Sequence, residues 1–307
     1  MSSINTNIAA MTALQALNQT NKETLVTQNR VATGYRVANA SDNAAYWSIA
    51  TTMRSDRLAL STVADALGLG AATVDVANQG ITSAIDTASK IKSKLVAARQ
   101  PGVDRAKIQA EIEQLQSSLQ SSVDTATFSG QNWLSVDSTG TTTRSLVASF
   151  SRDGAGAITI GTISVDVGAT GSMLVDSSGG GQGILDSDKT VTSGGTYTIL
   201  SLDISTLTDD SADLDDLEDY ISGVDEAITA MTNAATDLGA VKTRIDLQKE
   251  FAKSLMDAID KGVGQLVDAD MNEESTRLQA LQVRSQLGVQ SLSMANQSAQ
   301  SILQLFQ

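Results

Sequence analysis

The side chains that most often perform chemistry are scarce in this sequence. Its 307 residues include no histidine and no cysteine, which removes the commonest metal ligand, the usual neutral-pH general base and the thiol nucleophile. Carboxylates are plentiful, with 35 Asp and Glu residues. No two of them lie in an apolar context that would move their pKa values apart, as acid–base catalysis requires. The sequence therefore predicts a protein that is not an enzyme and uses no cofactor.

Two segments have the composition of a ligand site. The acidic run 209–219 (DDSADLDDLED) has the oxygen ligands that calcium prefers, but it lacks the ligand spacing and central glycine of a calcium loop. Its place at a predicted helix start offers another explanation, because carboxylates stabilise the positive end of a helix. The stretch 179–183 (GGGQG) lacks the strand–loop–helix setting and the lysine of a phosphate loop. We predict a helix start and a surface turn, and no metal site.

The negative charge is concentrated in the middle of the chain. Of the net −14, residues 137–219 carry −11, whereas residues 1–136 carry +1 and residues 220–307 carry −4. An acidic middle repels phosphates, so we expect no nucleic-acid partner. The N-terminus has no basic segment followed by a continuous apolar stretch, and no run of eighteen apolar residues occurs. We therefore expect neither a cleaved signal peptide nor a membrane span.

The composition predicts helices at both ends and strands between them. Residues 1–136 and 206–307 are rich in Ala, Leu, Gln and Ser, whereas 137–205 hold twelve of the 23 glycines and alternate with period two. The predicted fold is mainly α with a β-rich insertion. Long antiparallel coiled-coil-like helices from both termini enclose a central Gly/Thr/Asp-rich β domain.

Apolar positions in the long helices recur at alternating steps of three and four, as in a heptad. This seam runs from Leu67 to Ala98, is broken at Pro101–Gly102, and continues through Ile108, Ile112, Leu115, Leu119, Ser122 and Ala126. Asp104 is the predicted N-cap of that next helix. The seam returns at 214–259, with one three-residue step to Val241. We expect Trp47 and Trp133 to be packing anchors between elements.

The two termini are amphipathic but uncharged. The first charged residue is Lys22 and the last is Arg284, although a solvent-exposed helix normally uses Lys and Glu on its polar face. We predict terminal helices that pack on each other and on copies of themselves; the alternative, disordered tails, suits the free monomer. The predicted assembly residues are Ile4, Ile8, Met11, Leu14 and Leu17 on one face at the front, and Leu281, Leu292, Ala295, Asn296, Ile302, Leu303 and Phe306 at the back.

Four separated motifs resemble the bacterial flagellin family, most of all its α-proteobacterial, rhizobium-like members. They are SINTNIAAM at the N-terminus, TGYRVANASDNAAYWSIA at 33–50, DLGAVKTRID at 237–246, and the tail from 267 to 306. The resemblance implies a subunit that self-assembles into a hollow, helical, extracellular filament used for motility. A hook–filament junction protein, which shares similar helical ends, is the alternative.

The resemblance also implies a division into layers. Residues 1–40 and 268–307 would form the inner core tube, 41–136 and 206–267 a rod layer, and 137–205 the exposed insertion. Gly34, Arg36, Asn39 and Asp42 would belong to the connector between tube and rods. There they would contact neighbouring subunits or, alternatively, cap helices within one subunit.

The remaining expectations concern partners and export. The resemblance implies an export chaperone, filament cap and hook-junction proteins as partners, with other flagellins in a mixed filament as a further possibility. Export would proceed through the flagellar type III apparatus without a cleaved signal. Enteric flagellins carry a Gln-Arg-Val-Arg-Glu-Leu-Ala-Val stretch that the flagellin-sensing Toll-like receptor reads. Here residues 90–97 are KIKSKLVA, so we predict weak or no recognition by that receptor.

Overall fold

The computed structural model of the protein describes residues 6–168 and 172–305, and side chains up to residue 298. Five helices account for most of this part of the chain. They are α1 (Ile8–Thr33), α2 (Ala44–Ala98), α3 (Arg105–Thr125), α4 (Ser211–Val267) and α5 (Met271–Leu305). The predicted fold class, mainly α with a strand-containing insertion between long helices, is confirmed.

The chain forms two compact units. Residues 1–58 and 257–307 belong to the first, which we call the terminal unit, and residues 59–256 form the second, the central unit. The terminal unit includes residues 44–58 of α2 and the end of α4. The expected layers concern the assembled filament and stay a prediction. Residues 137–205 are part of the central unit and do not form a unit of their own.

Two antiparallel helices form the frame of the central unit. Two ion pairs show the antiparallel direction. Asp75 of α2 pairs with Lys242 of α4, and Lys92, farther along α2, pairs with Asp225, which comes earlier in α4. The predicted seam of α2 is confirmed, since its positions from Leu67 to Ala98 are buried. On α4 seam positions alternate between buried and half-buried as far as Ala252; the buried ones are Leu217, Val224, Met231, Leu238, Ile245 and Ala252.

Helix α3 buries only part of the predicted stripe. Asp104 caps it as predicted, accepting a hydrogen bond from the Lys107 backbone N–H. Of the predicted positions, Ile112, Leu119 and Ala126 are buried, whereas Ile108, Leu115 and Ser122 are only half-buried. The other buried positions are Arg105, Gln109, Gln116 and Val123. The buried amides have partners: Gln109 donates to the Leu202 carbonyl and Gln116 to those of Ile199 and Leu202. A search for apolar residues at helical spacing misses such a stripe, because glutamines whose amides are hydrogen-bonded can be buried and are not counted as apolar.

The segment after α3 is a set of short strands and one long hairpin. The hairpin pairs β4 (Thr143–Arg152) with β5 (Ile158–Asp166) in antiparallel register, with a bulge between Val147 and Ser149. The other strands have two residues each: β1 (Thr127–Phe128), β2 (Gln131–Asn132), β3 (Ser135–Val136), β6 (Val175–Asp176), β7 (Lys189–Thr190) and β8 (Thr196–Tyr197). Their buried side chains join the same core as the helices, so this insertion packs on the frame.

Glycines inside the helices receive side chains from the insertion. A Cβ on Gly80 of α2 would lie 2.6 Å from Leu134 Cδ1, and a Cβ on Gly223 of α4 would overlap the Tyr197 hydroxyl. That hydroxyl donates to the Asp219 carbonyl, and burial raises the pKa of Tyr197 to about 12. Glycine at these positions allows close approach at some cost in helix propensity.

Helix α2 is the one helix, among the residues that the structure describes, whose length and composition would suit a membrane crossing. The core helices of water-soluble proteins can also be this long and this apolar, and α2 supplies the apolar seam of the central unit. Length and composition alone therefore do not establish a membrane span, and the expectation that the chain has no membrane span stays a prediction.

Candidate functional site: the terminal helix pair

The terminal unit pairs the first helix of the chain with the last. Helix α1 begins where the Asn7 side chain accepts a hydrogen bond from Ala10 N–H and donates to the Ala295 carbonyl of α5, each at 3.0 Å. It ends at Gly34, whose φ of 75° is the left-handed conformation that suits glycine at a helix C-terminus. Helices α1 and α5, which we call the terminal pair, are thus tied together near the start of the chain.

Each helix contributes a heptad-spaced face to this contact. On α1 the inward positions are Ala10, Ala13, Leu17, Thr20, Thr24, Thr27 and Val31, and on α5 they are Glu274, Leu278, Leu281, Ser285, Gly288, Leu292 and Ala295. Leu17 sits over Gly288, where a Cβ would lie 3.2 Å from Leu17 Cδ1. Most of these side chains are small or hydroxylic, which lets the two helices approach closely.

Charged pairs join the two helices toward the other end. Glu274 of α5 is buried and lies 3.0 Å from Arg30 of α1, with Arg277 at 3.6 Å on its own helix. Farther along, Arg284 lies 3.5 Å from Glu23. Because the Glu274 carboxylate is removed from solvent, loss of the Arg30 side chain would leave a buried charge with only Arg277 near it, which costs more than breaking an exposed pair.

A short joint connects these helices to α2 and α4. The Arg36 and Val37 N–H groups donate to the Val267 carbonyl at 2.7 and 3.2 Å, and Ala269 N–H donates to the Gly34 carbonyl at 2.9 Å. The Arg36 guanidinium donates to the Leu266 carbonyl and so satisfies the end of α4. Beneath it, Val37 packs in a small buried cluster of the terminal unit.

The connector residues predicted from sequence make contacts inside their own chain. Gly34 and Arg36 end helices as described, and Asp42 accepts hydrogen bonds from the Ala38 and Asn39 N–H groups, both at 3.0 Å. Asn39 itself is exposed. Of the two interpretations that the sequence left open, these contacts are those of helix and turn capping; contact with a neighbouring subunit stays a prediction.

The single apolar face predicted for α1 is wrong. Leu17 turns toward α5, whereas Ile8, Met11 and Leu14 turn away from it and are exposed. On α5, Leu281, Leu292 and Ala295 face α1 and Asn296 is exposed; their part in subunit assembly stays a prediction. Ile4 and Phe306 lie outside the described residues, and the side chains of Ile302 and Leu303 do too.

The outward faces of the terminal pair hold apolar residues that the sequence reasoning missed. Leu25 and Val26 of α1 and Val283, Leu287, Val289 and Met294 of α5 are exposed. With Ile8, Met11 and Leu14 they make up the set of exposed apolar residues on α1 and α5 that we call the outer stripe. On α5, Val283, Leu287 and Met294 share one side of the helix, and Val289 lies off it. Large contiguous patches of exposed apolar surface are typical of sites of contact with other protein.

Among the described residues, no group of three or more Asp, Glu, His or Cys side chains could hold a metal ion. The acidic run 209–219 is occupied otherwise: Asp209 pairs with Arg105 at 2.7 Å, Glu218 with Arg99 at 3.0 Å, and Asp213 accepts from Thr208. The fold and this site thus define a mainly helical protein whose first and last helices pair with each other and leave apolar side chains exposed.

Comparison with known sequences gives the family. Residues 4–139 match the profile described as the bacterial flagellin N-terminal helical region, and residues 221–306 match the C-terminal helical region. Flagellin C of Rhizobium meliloti (strain 1021) is 48% identical with both chains covered in full, and a flagellin of Brucella melitensis biotype 1 is 43% identical over 100% of this chain and 99% of its own. The chain belongs to the bacterial flagellin family.

Membership sets the function at the level of the whole molecule. A flagellin is a structural subunit that assembles into the extracellular filament of the bacterial flagellum, which drives motility. The hook–filament junction alternative is not favoured, because family profiles at both ends and full-length relatives are flagellins.

Proposed function

We propose that the outer stripe of the terminal pair is the surface through which subunits of this protein pack into the filament. One observation carries the proposal: apolar side chains on α1 and α5 remain exposed after the two helices have packed together. A lone subunit leaves this surface in water, and burial in a polymer would recover the hydrophobic free energy. The stretches before Lys22 and after Arg284 have no side-chain charge. Close packing of copies therefore buries no unpaired ion at the stripe residues in these stretches, which are Ile8, Met11, Leu14, Leu287, Val289 and Met294.

The layer assignment is part of this proposal. Residues 1–40 and 268–307 form the inner tube, 41–136 and 206–267 the rod layer, and 137–205 the outer insertion.

The partners and export route extend the proposal. An export chaperone binds α5 before assembly, the filament cap and hook-junction proteins contact the polymer ends, and other flagellins share the filament. The chain leaves the cell through the flagellar type III apparatus. The receptor that senses flagellin binds weakly or not at all, because Lys92 and Lys94 stand in the segment that it reads and are engaged with Asp225 and Glu111.

A matched pair of substitutions tests the outer stripe. Leu287 on α5 and Ile160 on the β4–β5 hairpin are both 59% exposed, so replacing either by Gln perturbs the folded monomer little. Leu287→Gln should raise the critical monomer concentration for polymerisation about tenfold, as truncation of an interface hot spot does. Ile160→Gln, in the insertion, should polymerise like the parent chain.

Sedimentation of polymer from a concentration series measures both variants. Equal critical concentrations for Leu287→Gln and Ile160→Gln would show that the outer stripe is not an assembly surface. Circular dichroism of each monomer confirms that neither substitution has unfolded the chain.

A further inference from the structure

The two tryptophans of this protein lie in opposite environments. Trp133 is 1% exposed and packs in the core of the central unit, as the sequence predicted. Trp47, expected to be a second packing anchor, is 38% exposed at the start of α2, and Tyr46 and Tyr35 beside it are 41% and 39% exposed. Aromatic side chains bury large areas when covered and are enriched in protein interfaces. Their exposure in one short segment therefore needs an explanation that the isolated chain does not supply.

Trp47 belongs to one face of α2. Trp47, Thr51, Arg54 and Leu58 follow at steps of four, three and four, which places them on one side of the helix. Thr51 and Leu58 are exposed, Leu58 to 65%. Ala50, on the neighbouring side of the helix, is buried in the cluster of the terminal unit. We call these four residues, together with Tyr35, the Trp47 face.

The charge on this face is already engaged. The Arg54 guanidinium lies over the Tyr35 ring, 5.0 Å from its centroid, in a cation–π contact. The next basic residue, Arg57, pairs with Asp260 of α4 at 2.6 Å. The Trp47 face is thus largely aromatic and apolar, and its one cation, Arg54, is stacked on the Tyr35 ring. A stacked guanidinium is weakly hydrated, so this surface suits a contact that excludes water.

We infer that the Trp47 face is buried against a second copy of this chain in the filament. The inference rests on the proposed function and extends the assembly surface from the terminal pair across the joint to the start of α2. Continuity supports this occupant: the face lies in the same compact unit as the terminal pair and follows the joint in which Arg36 and Val37 bond to Val267. In a helical polymer contacts are head-to-tail, so Trp47 meets a different surface of the next copy.

The fluorescence of the two tryptophans reports this burial directly. In the monomer, acrylamide should quench Trp47 and spare Trp133; in the polymer both should be protected, and the emission should shift to shorter wavelength. Trp47→Phe supplies the reference, because it leaves Trp133 as the single indole, and its quenching should not change on assembly. In parallel, Trp47→Ala should raise the critical monomer concentration about tenfold or more, as loss of an aromatic anchor does.

Val96→Ala is the matched control, since Val96 is 52% exposed on the same helix but lies in the central unit; it should change the critical concentration less than Trp47→Ala does. Thermal unfolding of the Trp47→Ala monomer checks that its fold is retained, and Trp47→Phe should restore part of the assembly that Trp47→Ala loses.

The possible outcomes distinguish failure of this inference from failure of the proposed function. Polymer in which acrylamide still quenches Trp47, with normal assembly of Trp47→Ala, overturns the inference and leaves the proposed function standing. A parent chain that forms no polymer, even with seeds, overturns both.

Discussion

At the scale of single residues, a few buried polar groups organise the irregular segments. Asp176 accepts hydrogen bonds from the Ser138 and Ser178 hydroxyls, both at 2.6 Å, and from their backbone N–H groups. These bonds favour the charged carboxylate and hold the pKa of Asp176 far below its usual range. One aspartate thereby fixes two turns of the insertion that have almost no strand hydrogen bonds of their own.

This arrangement predicts a stability difference that depends on pH. The pKa of Asp176 is lower in the folded state than in the unfolded state. The Asp176 carboxylate therefore adds to the free energy of unfolding above the unfolded pKa of about 4, and this stabilisation is lost as the pH falls toward the folded pKa. Asp176→Asn should therefore lower the Tm at pH 7 and lower it less at pH 3. Asp188→Asn, an exposed neighbour in the insertion, should change the Tm little at either pH. An equal loss for Asp176→Asn at both pH values would contradict this account.

At the scale of elements, glycine has opposite roles along one helix. Gly223 of α4 receives the Tyr197 hydroxyl, whereas Gly239 of the same helix has nothing within 4 Å of an added Cβ. Alanine stabilises an open helical position by up to about 1 kcal/mol relative to glycine. Where the position is filled, the added methyl group must displace its neighbour, which costs about 1–3 kcal/mol.

The pair of substitutions should therefore differ in sign. Gly223→Ala should lower the free energy of unfolding, and Gly239→Ala should raise it. Denaturant titrations of the monomer, followed by circular dichroism, measure both. Stabilisation by Gly223→Ala would show that the Tyr197 contact with α4 is loose.

Elements with apolar seams could be predicted from the sequence, and those with polar seams could not. The seam of α2 from Leu67 to Ala98 was found because small and apolar residues repeat without interruption. On α3 the count followed Ile108 and Leu115 and missed Gln109 and Gln116, whose burial depends on carbonyl groups far away in the chain. Such long-range partners leave no local pattern.

The candidate site could be predicted only in part, because the face of α1 that turns inward also depends on a distant part of the chain. The terminal helices and their missing charges were visible in the sequence, but α1 has two faces of similar apolarity. One carries Leu17 among small and hydroxylic residues and packs on α5, and the other carries Ile8, Met11 and Leu14. Which of them turns inward depends on the partner helix, including the approach of Leu17 to Gly288. The sequence of α1 alone does not contain that information.

At the scale of the whole molecule, charge and apolar surface are separated. The ends carry no side-chain charge and present the outer stripe, whereas residues 137–219 hold most of the net negative charge. A polymer made through the ends gathers the apolar surfaces together and leaves the acidic segments in screening solvent. Salts that strengthen apolar burial should therefore promote assembly.

Polymerisation of the purified chain in a salting-out buffer, viewed by negative-stain electron microscopy, tests the central claim most directly. The full chain should form long, uniform tubes with a central channel. A chain that ends at residue 284 lacks the whole uncharged stretch that follows Arg284. This shortened chain should form no tubes, while its circular dichroism still shows the helices of the central unit. Tubes from the shortened chain, or only monomers and short rings from the full chain with seeds present, would contradict assembly through the terminal helices.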